Sequence, residues 1–204
     1  MHLFDQRILG TIILFLLGML VITKQTATGS ILDKPKGKLL VQVVNIFNLF
    51  FLLIANPLVA ILLITGHLET FDPTRLSIGA AWLLRALESV GLLLYLAGYF
   101  LMAWALISLR GNYQLGGSPP RIVDKLIVTG PYRFVRNPMY TAALCIALGL
   151  SCLTQSLACF AVFCVYLALI LLLIPMEEEG MRQAYGEQYV TYQRKVKKLL
   201  PLFY

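Results

Sequence analysis

Apolar residues fall along this chain in five long runs, divided by short polar segments. The first run, 8–22, is short for a membrane span but is extended by its flanks. A linker rich in Thr, Lys and Gly, 23–38, follows it. The second run, 39–64, is long enough to cross ~30 Å of hydrocarbon with some tilt. Within it Gln42, Asn45 and Asn48 recur every third residue and so share one helix face. In lipid that face must turn inward, either as inter-helix hydrogen bonding or as a cavity lining. Asn56-Pro57 predicts a bend in the outer half of this helix.

A short, nearly neutral loop, 65–74, leads to the third run, 78–109. Trp82 and Trp104 mark the two aromatic belts of this span, one near each surface. Arg85 and Glu88 are placed to pair with each other or to snorkel outward. Gly91 and Gly98, seven apart on one face, permit close helix packing. The segment 110–137 is the longest non-apolar stretch, with a turn cluster at Gly116-Gly117-Ser118-Pro119-Pro120. A polar connection of that length between spans is usually functional or disordered. Runs 140–153 and 157–174 then form an apolar hairpin around Thr154-Gln155-Ser156. Its first arm, at ~21 Å, is short enough to stop before the far surface. Pro175 is expected to end the last span. Beyond it Met181, Tyr185, Tyr189, Tyr192, Val196 and Leu199 recur every three or four residues, with basic residues between them near the end. That pattern predicts an amphipathic helix lying on anionic headgroups, running to Leu200.

Composition sharpens this into a class. Of 204 residues, 59% are hydrophobic and only 13% charged, about half the charge of a soluble domain. The expected fold is an all-α polytopic membrane protein of about five transmembrane helices, ending in a helical hairpin and an interfacial tail helix. Residues 1–109 form the N-terminal spans and 110–204 a catalytic region. No cleavable leader is expected, since the single Arg7 is followed by an apolar run without a small-residue cleavage site. The net charge of +7 reads as membrane topology, not nucleic-acid affinity. Four Lys/Arg lie in the first linker (24, 34, 36, 38), five in the long loop (110, 121, 125, 133, 136) and five in the tail (182, 194, 195, 197, 198), against Arg7, Arg75 and Arg85 elsewhere. The positive-inside rule then puts the N-terminus outside and the tail in the cytoplasm. There is no internal repeat of the kind inverted-repeat transporters carry. Cys145, Cys152, Cys159 and Cys164, with His2 and His67, have no metal-site spacing. They are expected to be reduced core thiols and isolated imidazoles, with no metal.

One polar stretch leads directly into a buried run: Gly130-Pro131-Tyr132-Arg133-Phe134-Val135-Arg136-Asn137-Pro138-Met139-Tyr140. Asn137 is a favoured N-cap and Pro138 suits the first helical position. The free N–H groups of that helix start, with Arg133 and Arg136 beside them, suit an anionic group. The alternative is a loop whose arginines merely reach to headgroups. At the other end of the same hairpin stand Glu177-Glu178-Glu179, so the cationic start and the acidic exit must be neighbours. A carboxylate cluster beside a positive helix start suits a zwitterionic ligand. Complementing the dipole of the tail helix is the plainer role for these glutamates.

The form Gly-x-Tyr-x-x-x-Arg-(His or Asn)-Pro-x-Tyr over 130–140 resembles the signature of the isoprenylcysteine carboxyl methyltransferase and phospholipid methyltransferase superfamily. Glu177-Glu178, Tyr185-Gly186-x-x-Tyr189-x-x-Tyr192 and Pro201 resemble its second motif, so the likeness covers about 110–204. It implies an S-adenosylmethionine-dependent membrane methyltransferase whose active site faces the cytoplasm. It also implies a lipid or lipidated acceptor entering from the bilayer. Position by position, Lys125, Leu126, Gly130 and Tyr132 match the loop part of the family's cofactor site, and Asn137, Pro138 and Tyr140 the part at the helix start. Arg136, Glu177 and Glu178 match the polar residues near the reacting groups. Asn137 departs from the His usual in members acting on prenylated proteins.

Methyl transfer from a sulfonium is an in-line displacement, served mainly by positioning. A carboxylate acceptor is already ionised and could be held by Arg136, whereas an amine must lose a proton, with Glu178 the nearest base. The motif region has no histidine, which tips the expectation to O-methylation of an isoprenylcysteine-like carboxylate over N-methylation of an aminophospholipid. Sterol reductases of related fold carry a similar Arg-His-Pro-x-Tyr element and use NADPH. This chain is short for that group and lacks an obvious cluster for the nicotinamide phosphate. A non-enzymatic membrane protein, with these motifs as caps and anchors, is the third reading.

Overall fold

The protein is described here by a computed structural model covering residues 3–30, 38–112 and 124–199. The turn cluster at 116–120, Lys34, Lys36, Arg121, Leu200 and Pro201 lie outside the described residues. Helix α1 spans Gln6–Thr28, and α2 (Leu39–Phe50) passes through a π-helical turn, Phe51–Ala55, into α3 (Asn56–Thr65). A short α4 (Leu68–Phe71) precedes α5 (Ala81–Leu109), α6 (Pro138–Thr154), α7 (Leu157–Tyr185) and α8 (Glu187–Lys195). Among the described residues, four helical stretches are long and apolar enough to cross a membrane, namely α1, the continuous 39–65 stretch, α5 and α7, with the shorter α6 beside them.

Helix α1 runs further than the apolar pattern alone implies, because Thr23, Thr26 and Thr28 return their hydroxyls to the carbonyls of Met19, Ile22 and Lys24. A threonine satisfied in that way does not break a helix in lipid. The helix ends at Gly29, whose φ of 76° is left-handed. Where the sequence predicts a bend at Asn56-Pro57, the structure has a π turn just before it, in which Asn56 N–H reaches back to Phe51 O. Pro57 has no N–H and its ring crowds the preceding turn, which favours such a local widening.

Pro175 does not end the last span. It lies inside α7, which continues ten residues to Tyr185. Buried Leu173 and Ile174 hold the helix before the proline, and Glu, Met, Arg, Gln and Ala after it are good helix formers. The glutamate triplet therefore stands on a rigid helix and not at the start of the tail. The amphipathic tail is likewise divided at Gly186 (φ 54°), and the nine-residue α8 buries Tyr189 and Tyr192.

Helices α5 and α6 pack closely along one face. A Cβ on Gly98 would come within 2.6 Å of Ala142 O, and one on Gly91 within 2.9 Å of Gly149 O. These two positions are the close-packing face read from the sequence. On the other side α2 meets α7, with Phe47 stacked on Tyr166 at 5.0 Å between ring centroids and Val44 and Ile170 fully buried. Arg85 and Glu88 turn apart: Arg85 is exposed, while Glu88 is buried and accepts from Leu3 N–H at 2.6 Å. The α6–α7 turn is clamped by Arg75, which donates to Thr154 O, Gln155 Oε1 and Glu69 Oε1. Nearby, Asp72 is held below its ordinary carboxylate pKa. Burial opposes this, but hydrogen bonds from Ser156 and Thr74 and the charge of Arg75 outweigh it.

Candidate active site

The opposite end of the α6–α7 hairpin holds the polar cluster. The segment Gly130–Arg133 is a 3-10 turn that enters α6 through Val135, Arg136 and Asn137. Gly130 has φ 61°, and a Cβ there would collide with Ser108 Oγ. This places Gly130 against the end of α5, as a turn residue.

Arg136 crosses from the start of α6 to the exit of α7. Its Nε and Nη2 both donate to Glu178 Oε1, at 2.9 and 2.6 Å, and Nη1 donates to the backbone carbonyls of Gln193 and Val196. The side chains are only 8% and 4% exposed, so this is a buried ion pair whose guanidinium also fastens α8. One turn further along α6, the Tyr140 hydroxyl donates to Glu177 Oε1 at 2.7 Å. The acidic exit and the cationic start thus meet in direct contact.

The chain beyond α8 closes this end as a strap. Arg136 N–H donates to Lys197 O and Asn137 N–H to Lys198 O, in a parallel bridge between Val135 and Lys197. Asn137 stands at the N-cap position, yet its side chain does not cap the helix. Its Nδ2 donates outward to Lys198 O at 3.2 Å. The expected capping role is corrected by the strap, which takes up these groups. Thr141 Oγ1 donates to Leu199 O, and the Tyr192 hydroxyl donates to Tyr132 O at 2.5 Å. Burial first, and then the Glu178 carboxylate, push the Tyr189 phenol above its ordinary 10.0, with Arg136 opposing. Burial raises Tyr192 in the same way. Both phenols stay protonated through neutral pH.

Behind the cluster lies a cavity of about 420 Å³, the size of a small-molecule site. Of the ten residues singled out in the sequence, nine line it: Lys125, Leu126, Tyr132, Arg136, Asn137, Pro138, Tyr140, Glu177 and Glu178. Gly130 does not. The cavity also reaches well beyond the motif region, to Lys24 and Leu17 on α1, Asn45 and Asn48 on α2, and Tyr95 and Tyr99 on α5. Asn45 and Asn48 thus line the cavity, and a hydrogen bond between Asn48 and Tyr166 also ties α2 to α7, so Asn48 serves both alternatives read from the spacing. Tyr95, Tyr99 and Tyr166 line the cavity as well; the sequence gives no signal for them, because a tyrosine in an apolar run reads as interface or core. Arg133, paired with Arg136 in the sequence reading, points away, its guanidinium stacked over Phe134 at 4.7 Å.

The arrangement combines carboxylates, two lysines, tyrosines and an apolar interior. It can hold a mixed-charge molecule at the surface end and a hydrocarbon body at the buried end. The sequence matches the family model described as phospholipid methyltransferase over residues 87–188. No curated protein matches. Among solved structures, the fold resembles that of a eukaryotic intramembrane Ras methyltransferase, the isoprenylcysteine carboxyl methyltransferase. The likeness has a TM-score of 0.52 at 17% identity and covers 79% of this chain and 73% of that one. With half its length in the family match and a bundle of membrane-spanning helices around the motif residues, the chain belongs to the phospholipid methyltransferase family, as an integral, multi-pass membrane methyltransferase.

Proposed function

We infer that this protein transfers a methyl group from S-adenosylmethionine to the head group of a lipid that enters the cavity from the bilayer, at the cytoplasmic face. The observation that carries the reading is the junction of Glu177, Glu178, Arg136 and Tyr140 at the mouth of one cavity with a long apolar interior. The donor set fits the cofactor on chemical grounds. Half-buried Glu177 suits a sulfonium or ammonium, Lys125 suits a carboxylate, and Leu126 with Ile127 offers an apolar wall for a purine. When bound, the cofactor supplies an electrophilic methyl group. The protein aligns the acceptor with it and excludes water. The catalytic unit is 110–204, with walls contributed by α1, α2 and α5.

The geometry favours an amine acceptor over the carboxylate expected from the sequence. Four donor contacts of Arg136 are already made to Glu178 and the tail, which leaves little of the guanidinium for a substrate carboxylate. Such an acceptor would also lie beside two glutamates. Glu177, held by Tyr140, is placed to accept the proton an amine must lose. The second reading, O-methylation of an isoprenylcysteine-like carboxylate, rests on Lys24 and Lys125 in the same lining. Two observations separate them. Methyl-labelled cofactor is supplied with vesicles containing an aminophospholipid or an S-prenylated cysteine, and the labelled product is identified. The rate is then followed against pH: an amine, with an ordinary pKa of about 10, gives a rate rising with pH, and a carboxylate gives a flat profile above about pH 5. Label in neither product refutes the proposed function.

A further inference from the structure

The deep end of the cavity is not purely apolar. Asn56 is 1% exposed and Tyr95 2%, both in the cavity lining, and the Tyr95 hydroxyl donates to Asn56 Oδ1 at 3.2 Å. That bond uses one end of the amide. Among the described residues no protein group accepts from Asn56 Nδ2, and no polar side-chain atom sealed from the cavity lacks a partner. The free N–H₂ therefore opens onto the cavity. On α5, Tyr95 lies fourteen residues from Leu109, which lines the surface end. At 1.5 Å per residue that is about 21 Å, close to mid-bilayer.

Pure hydrocarbon is a poor match for that floor. An alkyl tail reaching Asn56 would displace any water there and leave the amide donor unsatisfied, at a cost that discriminates strongly in a low-dielectric site. If Asn56 served only to tie α3 to α5, its carbonyl would suffice. The π turn Phe51–Ala55 immediately precedes it, and π turns recur at functional sites. We propose that Asn56 and Tyr95 form a polar floor that recognises a hydrogen-bond-accepting oxygen far along the apolar body of the bound lipid, so that the cavity selects an oxygen-bearing tail over a plain hydrocarbon of equal length. The proposal rests on the inferred lipid occupancy of the cavity and adds the chemistry of the tail.

The test uses two amphiphiles that differ only at the tail end, hexadecylamine and the same chain ending in a hydroxyl. Affinity is measured from the thermal stabilisation of the 204-residue chain in detergent, without cofactor. Wild type is compared with Asn56→Leu and Tyr95→Phe, so that differences in micelle partitioning cancel. The wild type is expected to favour the hydroxylated chain by about tenfold relative to Asn56→Leu, with Tyr95→Phe between them. Binding of S-adenosylhomocysteine, measured separately, is unchanged in both variants. Equal preference in wild type and Asn56→Leu overturns the polar floor. Failure of both amphiphiles to stabilise the wild type overturns it too, whereas failure of S-adenosylhomocysteine alone strikes only the methyltransferase chemistry.

Discussion

Replacing Arg136 by methionine removes the cation that joins three elements while nearly preserving its volume. The side chains of Arg136 and Glu178 are 8% and 4% exposed, so water cannot replace the lost partner. Breaking a buried pair by deleting one member costs about 3–5 kcal/mol, chiefly because the remaining charge is stranded. Each tail carbonyl that loses its donor, on Gln193 and Val196, adds on the order of 1 kcal/mol. The loss should be local in origin, loosening α8 and the strap before the spans separate. Thermal unfolding in detergent reports the total, and limited proteolysis across 186–199 reports the strap. The double variant Arg136→Met with Glu178→Met removes the stranded charge as well. It should recover most of the loss, since a neutral pair of similar volume is often as stable as a buried ion pair. A single variant that costs less than about 1 kcal/mol, or a double variant no better than the single, refutes the coupling of this pair to the tail.

Further outcomes follow from the same geometry. Gly98→Ala should destabilise by about 1–3 kcal/mol, because its Cβ would sit 2.6 Å from Ala142 O, and an unfolding curve measures it. Tyr192→Phe deletes the bond to Tyr132 O and should cost about 1 kcal/mol, together with weaker S-adenosylhomocysteine binding by calorimetry. The Tyr189 phenol is raised above 10.0, by burial first and then by Glu178, so its contribution to stability is fully present below pH 10 and lost as pH climbs above it. Tyr189→Phe should blunt that alkaline loss in a pH series of melting curves. Asp72, held low by Ser156, Thr74 and Arg75 against the opposing effect of burial, should lose its small contribution as pH falls below the usual carboxylate range, and Asp72→Asn should remove that acid dependence.

Period and spacing made much of the architecture legible in the sequence. The apolar runs locate the spans because lipid leaves the backbone few options besides helix. Gly91 and Gly98 mark the α5–α6 contact because seven residues return to one helix face. The meeting of Arg136 with Glu178 follows from the hairpin, whose two ends must lie side by side. What the sequence concealed depends on competition between local and distant partners. Pro175 reads as a stop, yet packing on one side and strong helix formers on the other carry α7 to Tyr185. Asn137 reads as a cap, yet its amide is drawn to Lys198 O by a strap 61 residues away. Arg136 reads as a free cation, and only the fold reveals that Glu178 and the tail already occupy most of its donors. Asn56 reads as half of a helix-bending dipeptide, and its open amide is visible only beside Tyr95.

The central claim is that one molecule of the methyl donor binds where the start of α6 meets the exit of α7. Calorimetric titration of S-adenosylhomocysteine into the purified protein tests it most directly, alongside Glu177→Leu and Tyr140→Phe. One site per chain is expected in the wild type, weakened by about tenfold or more in Glu177→Leu and to a lesser degree in Tyr140→Phe. Absence of binding, or binding that neither substitution alters, would contradict it.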